Sequence, residues 1–550
     1  MLKKTLSMAA FCLCMLGAKA GVANYNVVPL PQTVNLVKGK GFVLNPQTVI
    51  VCAGTDQAMK DNANFLAEYI EDLTGLKLPV VSAKSKTTNA IVLSLDNKVN
   101  GKEAYTLVVN NKQVRISGST AAGVFYGIQT LRKSLPVMTN STNTNANTEQ
   151  TLLPAVNISD APLFGYRGVM LDCCRHFFPV SFVKKFIDIL ALHNINTFHW
   201  HLSEDQGWRI EIKKYPTLPE IGSMRSGTVI GHNSTVDDNT PHGGYYTQEQ
   251  AKEIVAYAAQ RHITVIPEID LPGHTRALLA AYPEMGCTGG PYTVGHNWGV
   301  YHDVLCLGNE QVYGFVQDII GELCDIFPAP YFHIGGDEAP TTRWKECPRC
   351  KALSQSTGVS TEQLQGVFTN RIEKFVNSKG KSIIGWDEIL HGKINPSAVI
   401  MSWTGVNPGL KAASTGHDVI MTPGEFAYFD HYQTENHSSE PDAIGGLLPV
   451  EKVYSFNPLP DSVSVEARKH IIGVQANLWT EYIPYQTQVE YMLLPRLAAL
   501  SEVQWVPAKN KKYDEFHKRA TQLSKLYDRY GYTYALHMWP ERYQHNRSDW

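Results

Sequence analysis

Two rhythms of hydrophobic and polar residues divide the chain. In the first 135 residues short β-branched runs alternate with amphipathic stretches. Val49-Ile50-Val51-Cys52 reads as a strand. Residues 56–73 read as a helix, with Phe65, Leu66, Tyr69 and Ile70 at helical spacing. A strand over 90–95, a hairpin of 105–109 and 114–117 around Asn110-Asn111, and a helix over 121–135 complete a small α+β domain. The Asn/Thr-rich stretch 139–151 carries almost no apolar residue and predicts a surface connector. From Tyr166 the rhythm changes. Apolar strand candidates fall at 168–171, 197–202, 264–269, 331–334, 382–386, 398–403, 418–421 and 472–478. Helical periodicity falls between or after them at 182–193, 248–261, 311–327, 361–378 and 489–504. Eight strands alternating with helices predict an α/β chain whose larger part is a (β/α)8 TIM barrel. A doubly wound open sheet is the alternative, but no Gly-rich dinucleotide fingerprint follows a first strand. A helix over 513–530 and a polar tail finish the chain. The expected division is a leader at 1–20, an α+β domain at 21–158, the barrel at 159–510 and a C-terminal helix and tail at 511–550.

Composition narrows this picture. The 550 residues are 43% hydrophobic and 18% charged, enough apolar residues for a sizeable core. A net charge of −2 offers no basic surface for nucleic acid. Lys3 and Lys4, the apolar stretch 6–16 and Ala18-Lys19-Ala20 read as a cleavable signal. Export to the periplasm or the outside is therefore expected, with no membrane span; Cys12 and Cys14 do not sit in a convincing lipoprotein box, and lipoprotein anchoring is the less favoured alternative. Export permits disulfides among the eight remaining cysteines. Cys287 and Cys306 bracket a loop and are candidates for one. Cys347-Pro-Arg-Cys350 is a zinc half-site or a redox motif, but no second Cys or His pair at the usual spacing accompanies it. Disulfides or free thiols are favoured there over metal.

Residues that a core would not choose recur at one end of successive strand candidates. The fourth is the most telling: Tyr331-Phe-His-Ile-Gly-Gly-Asp337-Glu338 runs from a buried strand through two glycines into adjacent carboxylates. A helix cap is the plain reading of such a pair. The others argue for more: Asp172, Arg175 and His176 after the first, His199, His201 and Asp205 at the second, Asp270 and His274 after the third. Trp386, Trp403, Tyr428, Asp430, Trp479 and Glu481 follow in the later ones. In a barrel, the carboxyl ends of the strands converge on one site. Carboxylates and arginine suit hydroxyls, and Trp faces suit sugar rings or a small apolar substituent. His199 and His201 share a strand face and suit a metal, with Asp205 or His274 as a third ligand.

Several segments together resemble glycoside hydrolase family 20. They are Arg167-Gly-Val-Met-Leu-Asp172 with Arg175-His176, His199-Trp-His-Leu-Ser-Glu-Asp205, Pro267-Glu-Ile-Asp270-Leu-Pro-Gly-His274, His333-Ile-Gly-Gly-Asp337-Glu338, Gly385-Trp386, Trp403, Tyr428-Phe-Asp430 and Leu478-Trp479-Thr-Glu481. The resemblance covers nearly all of the chain after the leader. It implies a β-N-acetylhexosaminidase acting on glycans with a terminal N-acetylhexosamine, without cofactor or metal. It implies that Glu338 is the general acid and base, with a raised pKa. Asp337 would stabilise an oxazolinium intermediate and Tyr428 would hold the acetamido oxygen. Trp386, Trp403 and Trp479 would wall the acetamido methyl. Arg167, Asp430 and Glu481 would bind hydroxyls, and Asp205, Asp270 and His274 would orient the pair. A disaccharide-releasing member such as a lacto-N-biosidase, and a non-catalytic carbohydrate-binding protein, are the rival readings.

Overall fold

A computed structural model of the chain describes residues 21–53, 56–82, 88–137 and 150–545. The expected leader, most of the Asn/Thr-rich connector and the last residues of the tail lie outside the described residues. The chain forms two compact units, one built mainly from residues 33–100 and 105–159 and one from Asp160 onward. Short pieces 26–32 and 101–104 belong to the second unit.

The first unit carries a seven-stranded mixed sheet in the order Thr33–Leu36, Val156–Asp160, Tyr105–Val109, Gln113–Gly118, Ala90–Leu95, Val49–Cys52, Val80–Ser82. Helices Gln57–Thr74 and Ala121–Ser134 pack on each other and against the sheet. Asp56 starts the first helix by accepting the Met59 N–H at 3.0 Å, a cap that the polar residue before the apolar periodicity predicts.

The second unit is a closed barrel of eight parallel strands. We number them β1 (Tyr166–Asp172), β2 (Thr197–His201), β3 (Thr264–Glu268), β4 (Tyr331–His333), β5 (Ser382–Trp386), β6 (Val399–Ser402), β7 (Val419–Met421) and β8 (Ile471–Leu478). Closure comes from β1 pairing with β8, Arg167 opposite Val474. Every residue of β1 and β2 is buried, as expected where helices cover the outside of a parallel sheet. Met170, Ile266, Ile384, Met401 and Ile420 pack into one core cluster with Trp386 and Trp479. The predicted helix over 489–504 is two helices, Gln486–Leu493 and Arg496–Trp505. Pro495 separates them because proline has no N–H to continue the ladder. The helix predicted over 513–530 spans Tyr513–Tyr530.

Candidate active site

The site is built at the carboxyl ends of the barrel strands. After β4 the chain turns through Gly335 and Gly336, with φ of 66° and 102°. A Cβ on Gly335 would stand 1.8 Å from Asp270 Oδ1, so only glycine lets this turn close against the end of β3. The Gly336 N–H donates to the same Asp270 oxygen at 3.0 Å. The turn delivers Asp337 into the interior, 9% exposed, while the Glu338 side chain is 44% exposed. Glu338 has a φ of 47°; among the described residues the other non-glycines with positive φ are all Asn or His. Holding a glutamate there costs about 1 kcal/mol or more. The Glu338 N–H is fixed by Glu388 Oε2 at 3.1 Å.

Beneath the pair runs a buried chain of acids and imidazoles. His274, itself at φ 49°, sets Nδ1 at 2.7 Å from Glu204 Oε1 and 3.1 Å from Asp205 Oδ2. Its Nε2 lies 3.7 Å from Asp337 and 3.6 Å from Glu338. Burial opposes a charge on His274, but Glu204 and Asp205 outweigh it and hold its pKa well above the usual value. His274 in turn pulls the Glu338 carboxyl below its usual range, more than burial raises it. Asp270 goes the other way: burial, then the Asp337 charge, pushes it well up. Burial also raises Asp337. Asp270 Oδ2 and Asp337 Oδ1 are both buried and receive no hydrogen bond while both carboxyls are ionised; a proton on Asp270 supplies one to Asp337. Each buried carboxylate opposes ionisation of the other, and Asp270 is the more strongly raised of the two. One layer deeper, Glu268 accepts from Trp386 Nε1 at 2.9 Å and faces His199 Nε2 at 2.9 Å, His333 Nδ1 at 3.0 Å and His201 Nδ1. Against its burial, the imidazoles hold Glu268 well below the carboxylate range. Glu268 is thus what the His199 and His201 pair meets first.

Above these groups opens a cavity of about 760 Å³. Asp337, Glu338, Trp403, Tyr428, Asp430 and Trp479 line it, with Arg175, Glu481, Trp298 and Val300. Trp403 stacks on Tyr428 with centroids 6.0 Å apart. Tyr428 is set by a bridge to Asn477 of β8, and the Phe429 N–H donates to Asn477 O at 2.8 Å. Buried Arg496 donates to the carbonyls of Phe429 and, at 2.9 Å, His431, which braces the segment carrying Tyr428 and Asp430. Arg175 lies over the Trp479 ring at 4.9 Å and pairs with Glu204 at 3.1 Å and Asp172 at 3.2 Å, with Glu481 at 3.8 Å. Around the cavity Trp403 Nε1, Asp430 Oδ1 and Glu481 Oε2 are buried without a partner. Burial, then the neighbouring Glu481, pushes Asp430 well up. Buried oxygens left unpaired in a walled cavity suit a ligand rich in hydroxyls.

The description "Glycosyl hydrolase family 20, catalytic domain" fits residues 164–508, and "Glycosyl hydrolase family 20, domain 2" fits 24–161. The chain belongs to glycoside hydrolase family 20. It is 43% identical over 518 residues to a β-hexosaminidase of Porphyromonas gingivalis, covering 93% of this chain and 64% of that protein. This chain therefore spans somewhat less than two thirds of that relative's length. A β-N-acetylhexosaminidase of Cellulomonas fimi is 31% identical over 518 residues, covering 92% of this chain and 95% of the relative. The Vibrio harveyi family 20 exo-β-N-acetylglucosaminidase, solved in complex with N-acetylglucosamine, superposes with a TM-score of 0.81 at 30% identity, covering 94% of this chain and 80% of that one.

Within this family 20 barrel the predicted residues converge, with corrections. Arg167 is not at the cavity. It begins β1, at the opposite end of the barrel, where Nη1 and Nη2 clamp Glu103 at 2.5 and 3.0 Å and the remaining donors reach Asn194 O and Phe164 O, both at 2.9 Å. Arg175, three residues past the end of the strand, is the arginine in the cavity. Trp386 is 1% exposed and absent from the cavity wall; it backs Trp479, with centroids 5.8 Å apart, and donates to Glu268. The expected rise in the Glu338 pKa is reversed, because the side chain is half exposed and faces protonated His274. Glu204, Glu268, Trp298 and Arg496 were missed; for Glu204 and Glu268 the signal was present, since both are acids in the strand-end segments. The four cysteines expected to be a disulfide pair and an unaccompanied Cys-x-x-Cys form one cluster, the Sγ atoms of Cys287, Cys306, Cys347 and Cys350 all within 4.8 Å of one another. Cys347 and Cys350 therefore have the second pair that the sequence did not reveal. Among the described residues no helix is long and apolar enough to cross a membrane.

Proposed function

We propose that the chain is an exo-acting β-N-acetylhexosaminidase that removes terminal non-reducing GlcNAc or GalNAc from glycans with retention, the substrate's 2-acetamido oxygen serving as nucleophile. The observation that carries this reading is the adjacency of Asp337 and Glu338 on one turn, beside a cavity walled by Trp403, Tyr428 and Trp479. Sequence neighbours on one turn are poorly placed to flank a glycosidic bond from opposite sides, as an enzymic acid and an enzymic nucleophile must. With Glu338 as the acid, the nucleophile comes from the substrate.

In the first step the acetamido oxygen bonds to the anomeric carbon as the glycosidic C–O bond breaks, and Glu338 gives its proton to the departing oxygen. Asp337, left anionic by the proton that Asp270 keeps, faces the positive oxazolinium. In the second step water attacks the anomeric carbon, Glu338 takes its proton, and the acetamide reopens. A tethered nucleophile supplies roughly 7–11 kcal/mol of proximity advantage. Glu338 is held low in the free site, yet its proton source is near: His274 Nε2 stands 3.6 Å away. A sugar covering the half-exposed carboxylate adds desolvation and raises its pKa toward that of an acid. Arg175, Asp430 and Glu481 bind the hydroxyls, and Asp205 fixes His274. Two sugar hydroxyls, one donating to Asp430 Oδ1 and one to Glu481 Oε2, satisfy both orphaned oxygens. The positively charged apolar leader supports an exported enzyme.

The test is hydrolysis of matched aryl N-acetyl-β-glucosaminide and β-glucoside, with the anomer of the first product read by NMR and a thiazoline mimic as competitor. We expect a β-anomer, negligible glucoside cleavage and strong thiazoline inhibition. Comparable rates on both sugars without thiazoline inhibition would overturn the substrate-assisted reading.

A further inference from the structure

We propose that Cys287, Cys306, Cys347 and Cys350 form a tetrathiolate zinc site that fastens the loop carrying Trp298 to the barrel. The sulfurs lie 3.7 Å apart for Cys306 and Cys347, 3.8 Å for Cys306 and Cys350, and 3.9 Å for Cys287 and Cys350. A regular tetrahedron with zinc–sulfur bonds of about 2.3 Å has edges of about 3.8 Å. The thiols are thus spaced as ligands around one ion. Cys306, Cys347 and Cys350 are buried, and Cys287 is partly exposed. Four mutually facing sulfurs form a soft, closed site, which selects zinc or iron over the hard cations. No position is left for water or substrate, so the role is structural.

The surroundings are built for close approach. Cys347-Pro-Arg-Cys350 opens the helix Pro348–Thr357, and Gly308 packs onto that turn so tightly that a Cβ would meet Arg349 backbone atoms at 2.2 Å. Arg349 brings a positive charge beside Cys306 and Cys347, which eases the excess negative charge of four thiolates. Cys287 and Cys306 stand at the two feet of one loop, joined by the Gly286–Leu305 bridge. Its far part is tied to the active site, with the Gly295 N–H donating to Asp205 O at 2.8 Å and Gln206 Nε2 to Asn297 O at 2.8 Å. Just past these ties Trp298 and Val300 reach the cavity wall. An ion at the feet joins this loop to the segment that follows Glu338.

The test is metal content and thiol state of the full chain, neither of which depends on activity. Elemental analysis of protein purified without chelator should give about one zinc per chain. Alkylation with mass measurement should find these four cysteines unpaired, and reactive only once the protein is unfolded with chelator. The Cys347→Ser, Cys350→Ser double variant should lose the zinc and melt at a lower temperature. If it does not fold, limited proteolysis of the loop 287–306 in the natural protein, with and without chelation, replaces it, and faster cleavage is expected on zinc removal. An intact mass showing these cysteines paired as disulfides, iron in place of zinc, or free thiols that take up no zinc on incubation would each overturn the assignment.

Discussion

The two ends of the barrel hold the same kinds of residue and use them in opposite ways. At the amino ends of the strands Arg167 is 1% exposed and spends its donors on Glu103 and two backbone carbonyls. At the carboxyl ends Arg175 meets three acids, and around it Asp430 and Glu481 each keep a buried oxygen with no partner. A buried ion pair that satisfies itself is structure. Buried acids left incomplete raise one another's pKa and destabilise the empty site, and a ligand that completes them recovers that free energy. Function is legible in the difference: the end of the barrel with unmet hydrogen-bonding capacity is the end that binds.

The largest expected effect falls at the unmet end. Glu338→Gln should lower kcat on glycans by roughly 10²–10⁴-fold, and less on aryl glycosides whose leaving group needs no proton. Asp337→Asn should slow both substrate types. Steady-state kinetics on the two classes checks this, and equal loss on both for Glu338→Gln would remove it from the acid role.

Next comes a direct exchange between the ends. Arg175→Ala should cost kcat/KM roughly 10²-fold, since Glu204 and Glu481 lose their cation. Arg167→Ala should leave kcat/KM of the folded protein near that of the parent and lower unfolding free energy by about 3 kcal/mol, because Glu103 loses its partner. Denaturant unfolding alongside kinetics reads both, and a kinetic defect confined to Arg167→Ala would invert the comparison.

A smaller shift concerns pH. Asp337 must be ionised to face a cation, and burial raises its pKa. The acid limb of kcat/KM should therefore lie above the ordinary aspartate value of about 3.9. The hydrogen bond from Asp270 favours the Asp337 anion. Asp270→Ala removes that donor and should move the limb to higher pH, whereas Asp270→Asn, which still donates, should move it less. Identical limbs in the parent and Asp270→Ala would dissolve the proposed proton sharing.

The smallest effect is at Glu388, which burial, then Asp337, raises to about 7. A carboxyl with a raised folded pKa stabilises the fold relative to its ionised form only while protonated. Its cost therefore appears as pH climbs from the unfolded value toward about 7. Glu388→Gln removes that cost, so its melting temperature should match the parent in mild acid and exceed it slightly above neutrality. A constant offset across that range would assign the effect to packing.

What the sequence determined by itself is what repeats locally. The eight strands, the helices between them and the Gly335-Gly336-Asp337-Glu338 turn follow from periodicity and residue type, which act over a few neighbours. Their recurrence at strand ends also located the site at one end of the barrel. Tertiary structure decided everything that depends on partners far along the chain. Arg167 lies at the start of β1 and Arg175 past its end, and Glu103, 64 residues upstream of Arg167, made that arginine structural. Trp386 looked like its fellow tryptophans until barrel packing put it behind Trp479. The sign of the Glu338 shift turned on the half-exposure of one side chain and a histidine from the loop after another strand. Cys347 and Cys350 met Cys287 and Cys306 only because Gly308 lets two segments touch. Local order follows from steric period and hydrophobicity; charge, pKa and ligation follow from distance in space, which only the folded chain sets.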